Sequence, residues 1–261
     1  MNRFDPGIDV RPTTSPMGFS YGTNVFGPAV ENRHLDSIRK SLMDPLCHGP
    51  DIVYTIAMDV GNLNDRKDLV DRHLLFGVVT YASGRLGNEP IRSQGHIHKA
   101  SSYANGWSTP EVYQIWSGKG IVYMQERADD DPGRCYAVEG NPGDIIIVPP
   151  SWAHATISAD PYTPLTFGAW CDRDYGFVYD AVRAHKGLAW YPMIDDEGSL
   201  SWHHNKYYTK RELEVGPPTA YRKFQLENNR SIYRQYEEDR DRFDFVPRPD
   251  LYEANWTDFI P

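Results

Sequence analysis

The chain has 261 residues, of which 40% are hydrophobic and 13% aromatic, with 17 Tyr and 7 Trp. That supplies the core of one large domain with arms, and the many Tyr suit a barrel with a polar interior. A net charge of −9 excludes nucleic acid as a partner, because phosphate backbones need a basic surface, so any anionic ligand must meet a local positive field. Cys47, Cys135 and Cys171 lie far apart without a CxxC spacing and read as reduced thiols. No apolar run reaches the roughly 18 residues of a membrane span. The start, Met1-Asn2-Arg3-Phe4-Asp5-Pro6, lacks an apolar secretory region. A cytoplasmic protein with no membrane partner is expected.

Residues 1–30 are rich in Pro, Gly, Ser and Thr, with Phe4, Phe19, Tyr21 and Phe26 between them, and predict an irregular arm laid over the domain. Residues 31–45 carry a helical pattern: Leu35, Ile38 and Leu42 recur at three and four, Asn32 can cap and Pro45 stops the run. From residue 51 the period changes. Strands are predicted at 51–60, 74–82 and 91–98, with a loop over 99–110. Residues 111–117 and 121–127, joined by Gly118-Lys119-Gly120, read as a hairpin. Further strands follow at 134–139, 144–149, 153–158, 165–171, 187–195 and 199–203, separated by turn residues. Residues 206–261 are strongly charged. A helix is predicted within 221–245, and Phe243, Phe245, Tyr252, Trp256 and Phe259 indicate that this tail docks, on its own barrel or on a second subunit.

The chemistry concentrates between residues 91 and 158. Successive strand side chains alternate in direction, so His96 and His98 share one face, as do Glu111 and Tyr113 on the next strand. His154 opens a further strand after the Gly143 turn and the rigid Pro149-Pro150. If these strands are neighbours in a barrel, three imidazoles and one carboxylate meet at a point. Such a set suits Fe, Zn, Ni or Mn and leaves positions open for water or substrate. An isolated His-x-His on a strand is usually no metal site; the second block within the same stretch is what raises this one. His34, His48, His73, His185, His203 and His204 have no such partners and read as structural or surface residues.

The two blocks resemble the paired motifs of the cupin superfamily. The first is His96-x-His98, Glu111 and Gly118; the second runs from Gly143 to His154, with Ser151 where a Gly is common and Ser158 where an Asn is common. The strings Ser93-Gln94-Gly95-His96-Ile97-His98, Pro110-Glu111-Val112-Tyr113, Gly118-Lys119-Gly120, Val148 to Thr156 and Asp174-Tyr175-Gly176 resemble the cupin-type (archaeal-type) glucose-6-phosphate isomerases over about residues 30 to 205. Residues 99–110 then read as an insertion at the barrel mouth.

This resemblance implies a mainly β, jelly-roll-like barrel over 51–205. An N-terminal arm and helix (1–50) would precede it, and a partly helical extension (206–261) would follow. It implies one divalent metal ion per chain on His96, His98, Glu111 and His154, with Fe(II) expected and Mn, Zn or Ni as alternatives. The implied activity is aldose–ketose isomerisation of a sugar phosphate, glucose 6-phosphate to fructose 6-phosphate, in carbohydrate metabolism, by a homodimer. Glu111 would be both ligand and proton shuttle, and Tyr54, Ser93, Gly95 and Tyr113 would contact substrate. Four positions depart from the family pattern. Val79 stands where a phosphate-binding threonine is expected, with Thr80 beside it, Gln94 stands for a lysine, Trp170 for a tyrosine and Arg173 for a histidine. Arg85, Arg92 and Arg173 are candidate replacement phosphate donors. The competing readings are a cupin acting on another sugar, a cupin dioxygenase and a non-catalytic sugar-binding cupin.

Overall fold

The computed structural model describes residues 4–261. Twelve strands matter to the site: β1 (Glu31–His34), β2 (Ile52–Met58), β3 (Leu74–Tyr81), β4 (Ile97–His98), β5 (Glu111–Ser117), β6 (Gly120–Gln125), β7 (Cys135–Gly140), β8 (Ile145–Val148), β9 (Ala153–Ser158), β10 (Thr166–Asp172), β11 (Phe177–Val178) and β12 (Leu213–Gly216). An antiparallel six-stranded sheet runs β8-β5-β10-β3-β2-β1, and a four-stranded sheet runs β9-β6-β7-β12. β4 pairs with β11. The mainly β barrel implied by the resemblance is therefore the architecture observed.

Strand parity sorts the side chains into layers. Leu75, Val79, Tyr113, Ile115, Phe167 and Ala169 of the large sheet meet Val122, Met124, Tyr136 and Val138 of the small one in an inner core. The alternate residues are just as apolar. Phe76, Val78, Val112, Trp116, Ile147 and Trp170 face outward, where Tyr221, Phe224, Ile232, Tyr233, Tyr236 and Phe243 of the extension cover them. Ile121, Tyr123, Ala155 and Ile157, on the outer face of the small sheet, pack against Val182, Leu188 and Tyr208. Because both faces are buried, β3 has no exposed residue at all, and its sequence is an apolar run rather than an alternation.

The extension thus docks on its own barrel, and polar bonds fix how. Gln114, pointing outward from β5, accepts from Ile232 N at 2.8 Å and donates to Arg230 O at 2.8 Å. Trp170 Nε1 donates to Ile232 O. Tyr233 OH donates to Asp65 and Tyr236 OH to Asp68. Of the helix predicted over 221–245, only Ile232–Glu238 is α-helical. Ser231 caps it by accepting from Tyr233 N and Arg234 N, and Asp239, in extended conformation, stops it.

Other expectations need correction. Residues 31–45 form β1, one uncapped helical turn (Leu35–Ile38) and a 3-10 turn, and Asn32 lies in β1 opposite Thr55. Leu35, Ile38 and Leu42 are buried as the pattern required, but a single tight turn suffices to bury them. β5 and β6 are not a hairpin. β5 pairs with β8 and β10, β6 with β7 and β9, so Gly118-Lys119-Gly120 carries the chain from one sheet to the other. Gly118 has φ +75°, and a Cβ there would lie 2.8 Å from Pro164 O, so this corner requires glycine. The strand predicted at 91–98 is reduced to Ile97–His98, preceded by isolated bridges at Arg92 and His96. The N-terminal arm holds a hairpin, Val10–Thr14 with Met17–Tyr21. The three cysteines are free and buried. Among the described residues no helix is long and apolar enough to cross a membrane.

Trp170 is fully buried between sheet and extension, with ring contacts to Phe76, Tyr233, Tyr236 and Phe243. Trp170→Ala should cost about 3–5 kcal/mol in denaturant unfolding. A stability within about 1 kcal/mol of the parent would show that the extension does not depend on this anchor.

Candidate metal centre

The side chains of His96, His98, Glu111 and His154 converge inside the barrel, with their ligand atoms all within 4.8 Å of one another. Three local arrangements bring them there. His96 and His154 are antiparallel partners that exchange both backbone bonds, His96 N to His154 O at 3.0 Å and the reverse at 2.9 Å. His98 follows two residues after His96 on β4. Glu111 opens β5, whose neighbour β8 leads into the turn before His154. Ser151 in that turn takes φ +68°, a left-handed conformation that glycine adopts most easily.

The imidazoles are aimed by their second nitrogens. His98 Nδ1 lies 2.8 Å from Thr109 O and His154 Nδ1 lies 3.1 Å from Trp152 O. A carbonyl only accepts, so each Nδ1 carries the hydrogen and each Nε2 presents a lone pair to the cluster. His96 Nε2 and His154 Nε2 are buried without any hydrogen-bond partner. Buried donor atoms left unpaired in this way are what a metal-ligand set requires. Three imidazoles and a carboxylate around one point fit a divalent metal ion.

Glu111 Oε2 lies 3.3 Å from His98 Nε2 and 3.5 Å from His154 Nε2. It also accepts from Tyr113 OH at 2.7 Å, while Cys171 Sγ donates to Oε1 at 3.4 Å. Burial works to raise the carboxyl, but the contacts from His154 and His98 outweigh it and hold Glu111 well below the usual carboxylate range. Burial, with the neighbouring His154 and His98, pushes His96 well down. Burial also pushes His98 down, but Glu111 more than restores it and the net shift is upward. None of the six other histidines joins the cluster.

Tyr54, Ser93 and Tyr113 line a cavity that His96, His98 and Glu111 also line; neither Gly95 nor His154 is among its lining residues. Gly95 has φ +90°, and a Cβ there would meet Leu188 at 2.9 Å, so close packing against the outer layer accounts for the glycine. Ser93 Oγ accepts from Thr156 N at 3.0 Å. Val79 lines the cavity, whereas Thr80 turns away and bonds Thr166 Oγ1 at 3.0 Å.

None of the three replacement arginines reaches the cavity. Arg92 is buried in an ion pair with Glu89 at 2.6 Å, Arg173 binds Asp59 at 2.9 Å and Arg85 binds Asp196 at 3.1 Å. Among the described residues, the one Lys or Arg side chain lining it is Arg33, on β1 opposite Tyr54. Sequence reasoning missed it because residues 31–45 were read with a helical period. Reading 31–34 as a strand would have placed Arg33 beside the expected phosphate tyrosine. Two departures from the family pattern also find local causes. Trp170 faces the extension, and Gln94 accepts from Arg183 Nε at 3.0 Å.

A family model described as glucose-6-phosphate isomerase matches residues 41–211. The glucose-6-phosphate isomerase of Thermococcus litoralis is 34% identical over 116 residues, covering 44% of this chain and 55% of the relative. A putative glucose-6-phosphate isomerase of Rhizobium meliloti is 27% identical over 148 residues, covering 57% of this chain and 62% of the relative. The chain therefore spans little more than half the length of these curated relatives. Among solved structures, an oxalate decarboxylase of Bacillus subtilis aligns with a TM-score of 0.36 at 18% identity, covering 49% of this chain and 28% of that one. With two thirds of its length matched by the family model, spanning both blocks that bring the three histidines and Glu111 together, the chain belongs to the glucose-6-phosphate isomerase family.

Proposed function

We propose that the chain is a metal-dependent aldose–ketose isomerase that interconverts glucose 6-phosphate and fructose 6-phosphate. The observation that carries this reading is the convergence of His96, His98, Glu111 and His154 at a cavity that His96, His98, Glu111 and Arg33 all line. A divalent metal held by His96, His98, Glu111 and His154 supplies a Lewis acid for the C1 and C2 oxygens. Fe(II) is the expected ion.

The chain's own residues do the rest. Arg33, together with Tyr54, receives the phosphate. Its guanidinium is paired to Glu31 at 2.9 Å, and Glu31 is mostly exposed, so a phosphate can compete for the fork. Burial pushes the Tyr54 phenol up, which keeps it a hydrogen donor. Tyr113 is likewise held protonated, by burial and by Glu111, and its hydroxyl fixes the Glu111 carboxylate. Glu111 is the carboxylate of the cluster and the proposed shuttle. It takes the proton from C2 of the aldose and returns it to C1, while the O2 hydroxyl proton passes to O1, so that atoms and charge balance over the cycle. The apolar walls formed by Ile56, Met58, Val79 and Phe167 exclude water from the intermediate.

Three measurements test this reading. In a coupled assay with Fe(II), Mn(II) or Zn(II) added, fructose 6-phosphate should be converted to glucose 6-phosphate; no turnover with any of the metals would overturn the activity. Oxygen uptake in its place would favour a dioxygenase. His96→Ala and His154→Ala should each lose bound metal by elemental analysis, and full retention in both would remove the metal assignment. Arg33→Ala should raise KM at least about tenfold with little change in kcat, and Tyr54→Phe less, as expected for binding shared by ground and transition states. An unchanged KM for Arg33→Ala would take that residue out of the phosphate site.

A further inference from the structure

Residues 99–110 lie between His98 and Glu111 and touch the cluster from outside. Thr109, next to the loop's last residue, gives the carbonyl that holds His98 Nδ1. Beside it, Ser108 Oγ accepts from Ser151 N at 3.0 Å, in the turn that delivers His154. One loop therefore supports two of the four ligands.

The loop is a closed unit. Ser101 N bonds Trp107 O at 2.8 Å, Gly106 N bonds Ser101 O at 2.9 Å, and Ala100 bridges Ser108. These bonds tie its tip to its base. The tip is held by the C-terminal extension. Asn105 Nδ2 donates to Asp250 Oδ2 at 2.7 Å, and Asp250, whose side chain is largely buried, is fixed by a two-point contact from Arg248 at 2.9 Å. Tyr103 is stacked on His73 with ring centroids 4.2 Å apart, and the Arg248 guanidinium lies 5.7 Å from the same Tyr103 ring. Ser102 Oγ donates to Asp174 at 3.1 Å.

We propose that Asp250 is a positioning residue for the metal site: through Asn105 it clamps the 99–110 loop, and the loop's Thr109 carbonyl and Ser108 hydroxyl set His98 and the approach to His154. The extension then has a role at the site although none of its residues lines the cavity. This inference rests on reading the four residues as a metal site, and the experiment separates the two.

Mn(II) is titrated into metal-free protein. Asn105→Ala and Asp250→Asn should each bind Mn(II) about 3- to 10-fold more weakly than the parent, less than loss of a direct outer-shell partner. Amide exchange over 101–107 should be faster in both. A structural role alone would lower the melting temperature of the metal-free variants and leave their Mn(II) affinity within twofold of the parent; that result in both variants overturns the proposal. A parent protein that binds neither Mn(II), Zn(II) nor Fe(II) overturns the metal site itself, and the clamp with it.

Discussion

A sheet that carries large apolar side chains on both faces has to be covered twice, and the rest of this structure follows from that constraint. The inner face of the six-stranded sheet closes on the small sheet and makes the cavity. The outer face, with Phe76, Trp116 and Trp170, cannot be left in water. The N-terminal arm and the C-terminal extension meet that need. The extension is held by directed bonds to Gln114 and Trp170 as well as by area, which fixes its position as well as its attachment.

β5 shows the consequence most directly. Its inward residues Glu111 and Tyr113 belong to the site, and its outward residues Val112, Gln114 and Trp116 belong to the extension's footing. The strand is a shared wall between chemistry and packing. The cluster is kept in order by backbone carbonyls at Thr109 and Trp152, not by charged neighbours. Carbonyls fix the tautomer without adding charge, so Glu111 is the one charged group within the cluster itself, with Arg33 and Asp172 on the cavity wall beyond it.

The four clustered residues were legible because His96 and His98 stand two apart in an extended run, Glu111 opens a strand, and His154 follows a turn marked by Gly and Pro. The barrel was legible from the spacing of short strands. The crossing at Gly118 was not, since a turn between paired strands and a corner between two sheets carry the same residues. Arg33 was hidden for a related reason: Leu35, Ile38 and Leu42 have helical spacing, yet they are buried by one turn and a continuation, and the strand before them went unrecognised. The aromatics of the extension announced docking. Their partner could not be named, because an apolar run such as 74–81 does not say which of its residues face outward until the sheets are assembled.

The outward position of Trp170 has one more consequence. The stretch that matches the family ends at residue 211, well before Tyr233 and Phe243. Cut at that border, the polypeptide would present Phe76, Trp116 and Trp170 to solvent as one broad greasy surface, and β7 would lose its parallel neighbour β12. The border of the family match and the border of the packed core therefore fall at different places along this chain, and the second includes the charged tail.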